Sequence, residues 1–390
     1  MLKPGLLSIG LLVVLVGCST ASRRAGESPS QDWTGLEKAS LPPVELEHVP
    51  EGPQFAPAAG NLPEPFKPHV SPSRELWIPV ERWARANNLG TLREVSLTPA
   101  PTYALTTAHG LLRFQVRSRI AKWNGSDFHL GFEPQLIGGQ PFLHTLDLEK
   151  NLQPLLQPFA LPARTNRVVV IDPGHGGRNT GTESVFAHAN EKEYTLDWAR
   201  RLGQLLETNG WRVLLTRNQD ADVALSNRVT FAAEHQADLF ISLHFNSAAP
   251  SREQAGLETY CLTPAGMSST LTRGYEDDPA LVFPNNAFDE ANFQFALNIH
   301  RALLTGAGLA DRGVRRARFL GVLRGQNRPA ILIEGGYLSN PREAKRIADP
   351  AFRQKLAQAV AAALIPPPPV PVQQAEARPA ISATNNPQAN

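Results

Sequence analysis

RVVVIDPGHGG, Arg167 to Gly177, carries the strongest fold signal in the chain. Val168 to Ile171 is an unbroken apolar run that stops at Asp-Pro-Gly, the pattern of a buried strand ending in a tight turn. The turn presents His175 between glycines, whose missing Cβ atoms let an ion or a substrate approach the backbone. A residue at the carboxyl end of a strand stands on the edge where open α/β sheets bind their ligands. Two nucleotide readings of the turn fail. After Gly174 and Gly176 the third glycine of G-x-G-x-x-G would fall at Asn179, and no Gly-Lys-Ser/Thr follows. A metal ligand is the sharper reading of His175, with a structural hydrogen-bonding histidine as the plain alternative.

Outward from this stretch, strands and helices alternate. Glu191 to Asn209 carries Tyr194, Leu196, Trp198, Leu202, Leu205 and Leu206 at helical spacing, and Gly210 follows as a C-cap. Trp211 to Thr216 reads as a strand, Ser226 to His235 as a helix and Asp238 to His244 as a strand. Leu257 to Leu262 continues the sheet, Glu290 to Leu304 is helical, and Ala330 to Glu334 is a buried strand. Near-continuous apolar strands between helices predict an α/β sheet covered on both faces, over 166–364. Upstream, 73–165 reads as a small α+β domain. It opens with a helix from Trp77 to Asn88 that places Trp77, Val80, Trp83 and Ala84 on one face, and short strands follow at Tyr103, Leu111 to Val116 and Phe128 to Phe132. Its His109, His129 and His144 have no metal spacing.

The ends differ in composition. Residues 1–17 carry one lysine and then an apolar run too short for a spanning helix, a secretory signal. From 18 to 72 the chain is rich in Pro, Ser, Ala and Glu without periodicity, and 365–390 opens with a polyproline run. Both read as disordered, the first as a tether. A formal charge of +2, with no basic run, points away from nucleic acid.

Four polar residues stand at strand ends or a helix start. His175 follows the first strand of the domain, Glu191 opens its first helix, His244 ends a strand and Glu334 ends the last. Two imidazoles and a carboxylate with an open fourth position form the ligand set of a hydrolytic zinc site. Glu334 is then the candidate to move protons. Each has a plainer reading: Glu191 as an acidic helix opener, with Glu193 its rival for a metal, His244 as a core histidine, Glu334 as an ion-pair partner. The intervals between the four match no short local zinc motif. A cysteine hydrolase on Cys261 is the outlying alternative, since no histidine lies near it in sequence.

In order, VVVIDPGHGG, EKEYTLDWARRL, VLLTR, LSNRVTFAAEHQADLFISLHFN, GLETY, GLADRGVRRARFLGVLR and PAILIEGGYLSNPREA resemble the motif series of zinc-dependent N-acetylmuramoyl-L-alanine amidases. The resemblance implies a single twisted, six-stranded, mostly parallel sheet with one Zn²⁺. It makes His175, Glu191 and His244 the ligands, Glu334 the catalytic glutamate, and Arg217 and Arg228 structural ion-pair residues. It implies cleavage of the lactyl-amide bond between muramic acid and the stem peptide of peptidoglycan. Phe245 and Gly335-Gly336-Tyr337 depart from the family's pattern, at positions that touch no ligand. A wall-binding protein without turnover and a zinc peptidase acting on the stem peptide are the competing classes. The insertion 263–289 lacks helical periodicity and is expected to be a wall of the cleft. In some members of the family the corresponding insertion is a helix that covers the zinc until a partner protein removes it, which keeps a regulatory partner in view. Leu15-Val16-Gly17-Cys18 resembles the bacterial lipobox, so Cys18 is the expected lipidation site and a membrane anchor. In a diderm host Ser19 resembles the choice of lipoproteins sent to the periplasmic face of the outer membrane.

Overall fold

The computed structural model describes residues 76–161, 166–274 and 276–365. The predicted signal, Cys18, the tether and the tail after Ile365 lie outside the described residues. Among those described, no helix is long and apolar enough to cross a membrane. Along the chain the strands are β1 Trp77–Pro79, β2 Leu92–Ser96, β3 Thr102–Thr106, β4 Leu111–Gln115, β5 Ile120–Trp123, β6 Ser126–His129, β7 Gln135–Ile137 and β8 Gln140–His144. Then come β9 Arg167–Pro173, β10 Trp211–Leu215, β11 Leu239–Asn246, β12 Leu257–Cys261, β13 Asp311–Arg316 and β14 Ala330–Tyr337.

The apolar run Val168 to Ile171 is the middle of β9, and it sits between two parallel neighbours, β10 and β11. β14 lies parallel to β11 on the other side, β12 runs antiparallel to β14, and β13 is parallel to β12. These six strands, ordered β10-β9-β11-β14-β12-β13, are the expected mostly parallel sheet. Strand alternation divides β9 between two cores. Val169 and Ile171 face one core with Trp198, Leu202 and Leu206 of helix Glu191–Glu207 and with helices Asp289–Ala307 and Pro350–Leu364. Val168 and Val170 face the other with Ala232 of helix Leu225–Glu234 and Leu323 of helix Gly321–Arg324. Burial on both faces is why these strands read as continuous apolar runs.

The sheet does not stop at six strands. β6 pairs in parallel with β13 at Phe128 and Val314, and the antiparallel meander from β6 to β2 extends the sheet to eleven strands. The edge of β13, which a six-stranded sheet would leave open, is thereby covered. Phe128 is fully buried edge-on to Phe293, with centroids 5.5 Å apart. The Asp127 N–H donates to Asp311 at 2.8 Å, and the buried Arg316 donates to the Asn151 side chain at 2.8 Å and the Lys150 carbonyl at 3.1 Å. β1, β8 and β7 form a separate three-stranded sheet. The predicted opening helix is shorter than expected: Trp77 belongs to β1, its ring edge-on to His144 and Phe132, because the helix begins only after Pro79. Val80, Trp83 and Ala84 are its buried face, as the spacing predicts.

Because a single hydrophobic cluster runs from Val80 to Leu364, we expect Phe128→Ala to cost about 3–5 kcal/mol and to lower one common calorimetric transition. Two transitions, with only one of them shifted, would show that residues 76–161 fold apart from the rest.

Candidate metal centre

His175 occupies the left-handed region, with φ at +62°, a conformation that persists only where its surroundings enforce it. Two arginines do so. Arg228, from helix Leu225–Glu234, pairs with Asp172 at 2.5 Å and donates to the carbonyls of Pro173 at 2.9 Å and His175 at 2.8 Å. Arg217, just past β10, donates to the carbonyls of Pro173 at 3.0 Å, Gly174 at 2.8 Å and Lys192 at 2.8 Å. Arg228 is thus an ion-pair residue, whereas Arg217 clamps carbonyl oxygens. Burial, with the Arg228 charge beside it, pulls the Arg217 pKa down to about 10.

The clamped turn brings His175 to Glu191 and His244. The three are buried, and one ligand atom from each lies within 4.8 Å of the others. His175 Nε2 is 3.1 Å from Glu191 Oε2, and His244 Nδ1 is 3.0 Å from Glu191 Oε1. Asn179 Oδ1 lies 2.8 Å from His175 Nδ1, which turns Nε2 toward the centre and assigns the proton to the outer nitrogen of the neutral ring. Both carboxylate oxygens of Glu191 are also fixed from behind, by the N–H groups of Phe245 at 3.0 Å and Thr182 at 3.1 Å. Glu193 is exposed and its carboxylate accepts from the N–H of Asn190, so it caps the helix and does not approach the cluster.

Protonation suits a cation. Burial pushes the Glu191 carboxyl up, but His175 and His244 outweigh it and hold it well below the ordinary range. Burial pulls His244 down, keeping it neutral. His175 is pulled down by burial and raised further by Glu191, so a metal there displaces a proton.

Strand register adds a carboxylate row. Glu334 on β14 is the partner of His244 on β11 and of Glu258 on β12, so the three share one face. Glu334 is 4% exposed, and its Oε2 has no hydrogen-bond partner among the described residues. Burial, then the neighbouring Glu191 charge, raises its pKa. Glu258 is equally buried but fully engaged. It accepts from Asn246 at 2.9 Å, Tyr260 at 2.7 Å, Tyr337 at 3.1 Å and Arg312 at 2.8 Å. Sequence reasoning passed over Glu258 although GLETY offered the signal, a carboxylate inside an otherwise apolar strand. Cys261 is buried on β12, and burial raises its thiol pKa, which removes the thiolate a hydrolase would need.

The two departures from the family pattern meet in space. A Cβ at Gly335 would lie 2.8 Å from the ring of Trp198 and 3.1 Å from that of Phe245, so Phe245 fills what a side chain at 335 would occupy. Gly174 is tighter still, since a Cβ there would lie 2.2 to 2.6 Å from three atoms of the His244 imidazole. Gly174→Ala must therefore turn that ring, and we expect metal affinity to fall by about 10- to 100-fold, as read by chelator competition. Unchanged affinity would separate His244 from the metal.

The family model described as N-acetylmuramoyl-L-alanine amidase matches residues 169–366. The chain is 30% identical over 243 residues to N-acetylmuramoyl-L-alanine amidase AmiC of Escherichia coli O6:H1 (strain CFT073), covering 56% of this chain and 57% of that protein. With AmiA of Escherichia coli (strain K12) the identity is 30% over 230 residues, 54% of this chain and 78% of that one. Among solved structures, the catalytic domain of CwlV, N-acetylmuramoyl-L-alanine amidase from Bacillus (Paenibacillus) polymyxa var. colistinus, is 32% identical over 51% of this chain and 96% of that chain, with a TM-score of 0.42. The chain thus spans little more than half the length of the first of these relatives. The family match takes in half of the chain, and within it lie His175, Glu191, His244 and Glu334: the chain belongs to the N-acetylmuramoyl-L-alanine amidase family.

Proposed function

We propose that the chain is a zinc-dependent peptidoglycan amidase that cleaves the bond between N-acetylmuramic acid and the L-alanine of the stem peptide. The observation that carries this reading is Glu334: a buried carboxylate with one unpartnered oxygen, in register with His244 beside a three-donor cluster. Two imidazoles and a carboxylate fit zinc with an open position, and His175, Glu191 and His244 would hold it. When bound, zinc supplies a lowered pKa for water and polarisation of the scissile carbonyl. Glu334 Oε2 takes the proton of the attacking water and returns it to the departing amine nitrogen. The C–N bond breaks as the C–O bond forms, leaving a carboxylic acid on the muramic side and an amine on alanine. Asn179 and the Phe245 and Thr182 N–H groups keep the donors aimed, which limits reorganisation during reaction.

The insertion agrees with a cleft wall: among the described residues it carries no helix before Pro284. The cell envelope is the expected place of action, with anchoring through a lipid on Cys18 and, in a diderm host, a position at the inner face of the outer membrane. A regulatory protein partner remains part of the reading through the insertion alone.

The deciding experiment is mass spectrometry of digested cell wall, in which this activity releases stem peptides with a free L-alanine amino terminus and leaves glycan strands intact. Cleavage within the peptide would identify a peptidase, and no release a binding protein. Glu334→Gln should lower turnover by about 10²- to 10⁴-fold with stoichiometric zinc retained by elemental analysis, whereas His175→Ala and His244→Ala lose metal and activity together. Replacing Cys18 with Ala should move the protein out of the membrane fraction and abolish labelling by a clickable palmitate analogue; equal partitioning would remove the anchor.

A further inference from the structure

Between β11 and β14 the pairing slips by one residue at the site itself. His244 is the partner of Glu334 and Asn246 the partner of Tyr337, so one residue on β11 faces two on β14, Gly335 and Gly336. This is a β-bulge, rare between parallel strands and a means of re-aiming a side chain. Gly336 takes φ at +124°, a backbone conformation open to glycine. In an unbroken strand Tyr337 would stand on the face opposite Glu334. The extra residue brings it back to that face, and its hydroxyl donates to Glu258 Oε1 at 3.1 Å. Past the bulge the ladder resumes, with the Leu338 N–H donating to the Asn246 carbonyl at 2.8 Å.

Two carboxylates hold the bulge closed. Glu343, in helix Pro341–Ala348, takes the backbone: it accepts from the Tyr337 N–H at 2.8 Å and from the N–H of Gly256, just before β12, at 2.9 Å. Glu258 takes the side chains, and its two oxygens serve different strands. Oε2 accepts from Asn246 of β11 at 2.9 Å, and Oε1 accepts from Tyr337 of β14 and, at 2.8 Å, from Arg312 of β13. Asn246 is itself oriented, since its Oδ1 accepts from the Ser247 N–H at 2.9 Å and from Arg273 at 3.2 Å, which turns its amide N–H groups toward Glu258. One carboxylate on β12 thus reaches across β14 to β11 and ties both members of the pair that closes the bulge. Glu258 and Tyr337 are 2% and 4% exposed, so water does not compete for these bonds.

We propose that Glu258 is a positioning residue for the reaction, acting through Tyr337 and Asn246 to set where the Glu334 carboxylate stands. The assignment rests on the amidase reading, in which Glu334 takes a proton from water and returns it to the leaving nitrogen. Such a carrier works only within hydrogen-bond reach of both atoms, about 2.6–3.2 Å, and a misplacement of about 1 Å costs about 10²-fold in rate. The bulge is the backbone joint immediately after Glu334, so a loosened bulge moves that side chain. It leaves the three donors in place, because His175 and Glu191 belong to other segments and His244 is held directly by Glu191. Glu258 therefore acts on the proton carrier and not on the metal cluster.

Two measurements on the full-length protein test this. Tyr337→Phe removes one hydroxyl, and Glu258→Gln removes the charge with little change of volume. Both should speed amide hydrogen exchange over 335–338, followed by mass spectrometry. On a soluble muramoyl peptide Tyr337→Phe should lower kcat by about tenfold and Glu258→Gln by more, with KM held within about twofold and zinc still stoichiometric by elemental analysis. Tyr103→Phe removes a tyrosine–glutamate hydrogen bond near the far end of the same sheet and controls for lost stability alone, so its kcat should match wild type. If Glu258→Gln does not fold, Tyr337→Phe decides. Unchanged kcat in Tyr337→Phe overturns the assignment, as does unchanged exchange over 335–338, loss of its zinc, or an equal fall of kcat in Tyr103→Phe. Wall digestion by the wild type decides the amidase reading: no release removes that reading and the assignment with it, whereas release with an unaltered Tyr337→Phe removes the assignment alone.

Discussion

The buried pair of Asp172 and Arg228 is the interaction on which the site depends. Neither charge reaches water, and each is met by further polar groups: Thr216 at 2.5 Å and Ser242 at 2.8 Å on the carboxylate, the Pro173 and His175 carbonyls on the guanidinium. Such saturation is what offsets the desolvation of two ions. Burial pushes the Asp172 carboxyl up, yet Arg228 beside it brings it below its ordinary range. Breaking a buried pair of this kind costs about 3–5 kcal/mol, because the remaining charge is stranded. Here it would also release the carbonyl of His175, and with it the left-handed turn that aims the first donor. Stability and the geometry of the centre thus share one cause.

Much of this was legible in the chain. Strands buried on both faces leave continuous apolar runs, so the central strands β9, β11 and β14 could be read from Val, Ile and Leu alone. His175, Glu191, His244 and Glu334 stood out because each is polar at the end of such a run or at a helix start. What could not be read has a common physical origin. β13 is the sequence DRGVRR, with Val314 its single aliphatic residue, and its buried Arg316 donates to the Lys150 carbonyl and the Asn151 side chain in the interior. Its pairing with β6, and so the continuation of the sheet, leaves no periodic signal. GLETY showed Glu258 as a carboxylate inside a strand, but its partners Asn246, Tyr337 and Arg312 come from separate segments that only the folded chain brings together.

Register then distributes chemistry across the sheet. His244, Glu334 and Glu258 are consecutive partners on β11, β14 and β12, so a candidate metal ligand, the proposed proton carrier and an arginine-bound anchor stand in one row. The unpartnered oxygen of Glu334 stands in the row between His244, which meets Glu191, and Glu258, which is fully engaged. A proton carrier needs an oxygen left open, whereas the residues that flank it must not move, and the sheet sets them one strand away on either side.

The contact of Phe245 with Gly335 carries a consequence for how this chain can vary. The phenylalanine follows a candidate zinc ligand and donates its N–H to Glu191, and the glycine follows Glu334, so both flank the chemistry while filling one volume between them. Enlarging residue 335 alone drives a side chain into the Trp198 and Phe245 rings. Shrinking residue 245 alone leaves a cavity behind two site residues. A path by single steps therefore crosses a less stable intermediate in either direction, and shape couples the two positions.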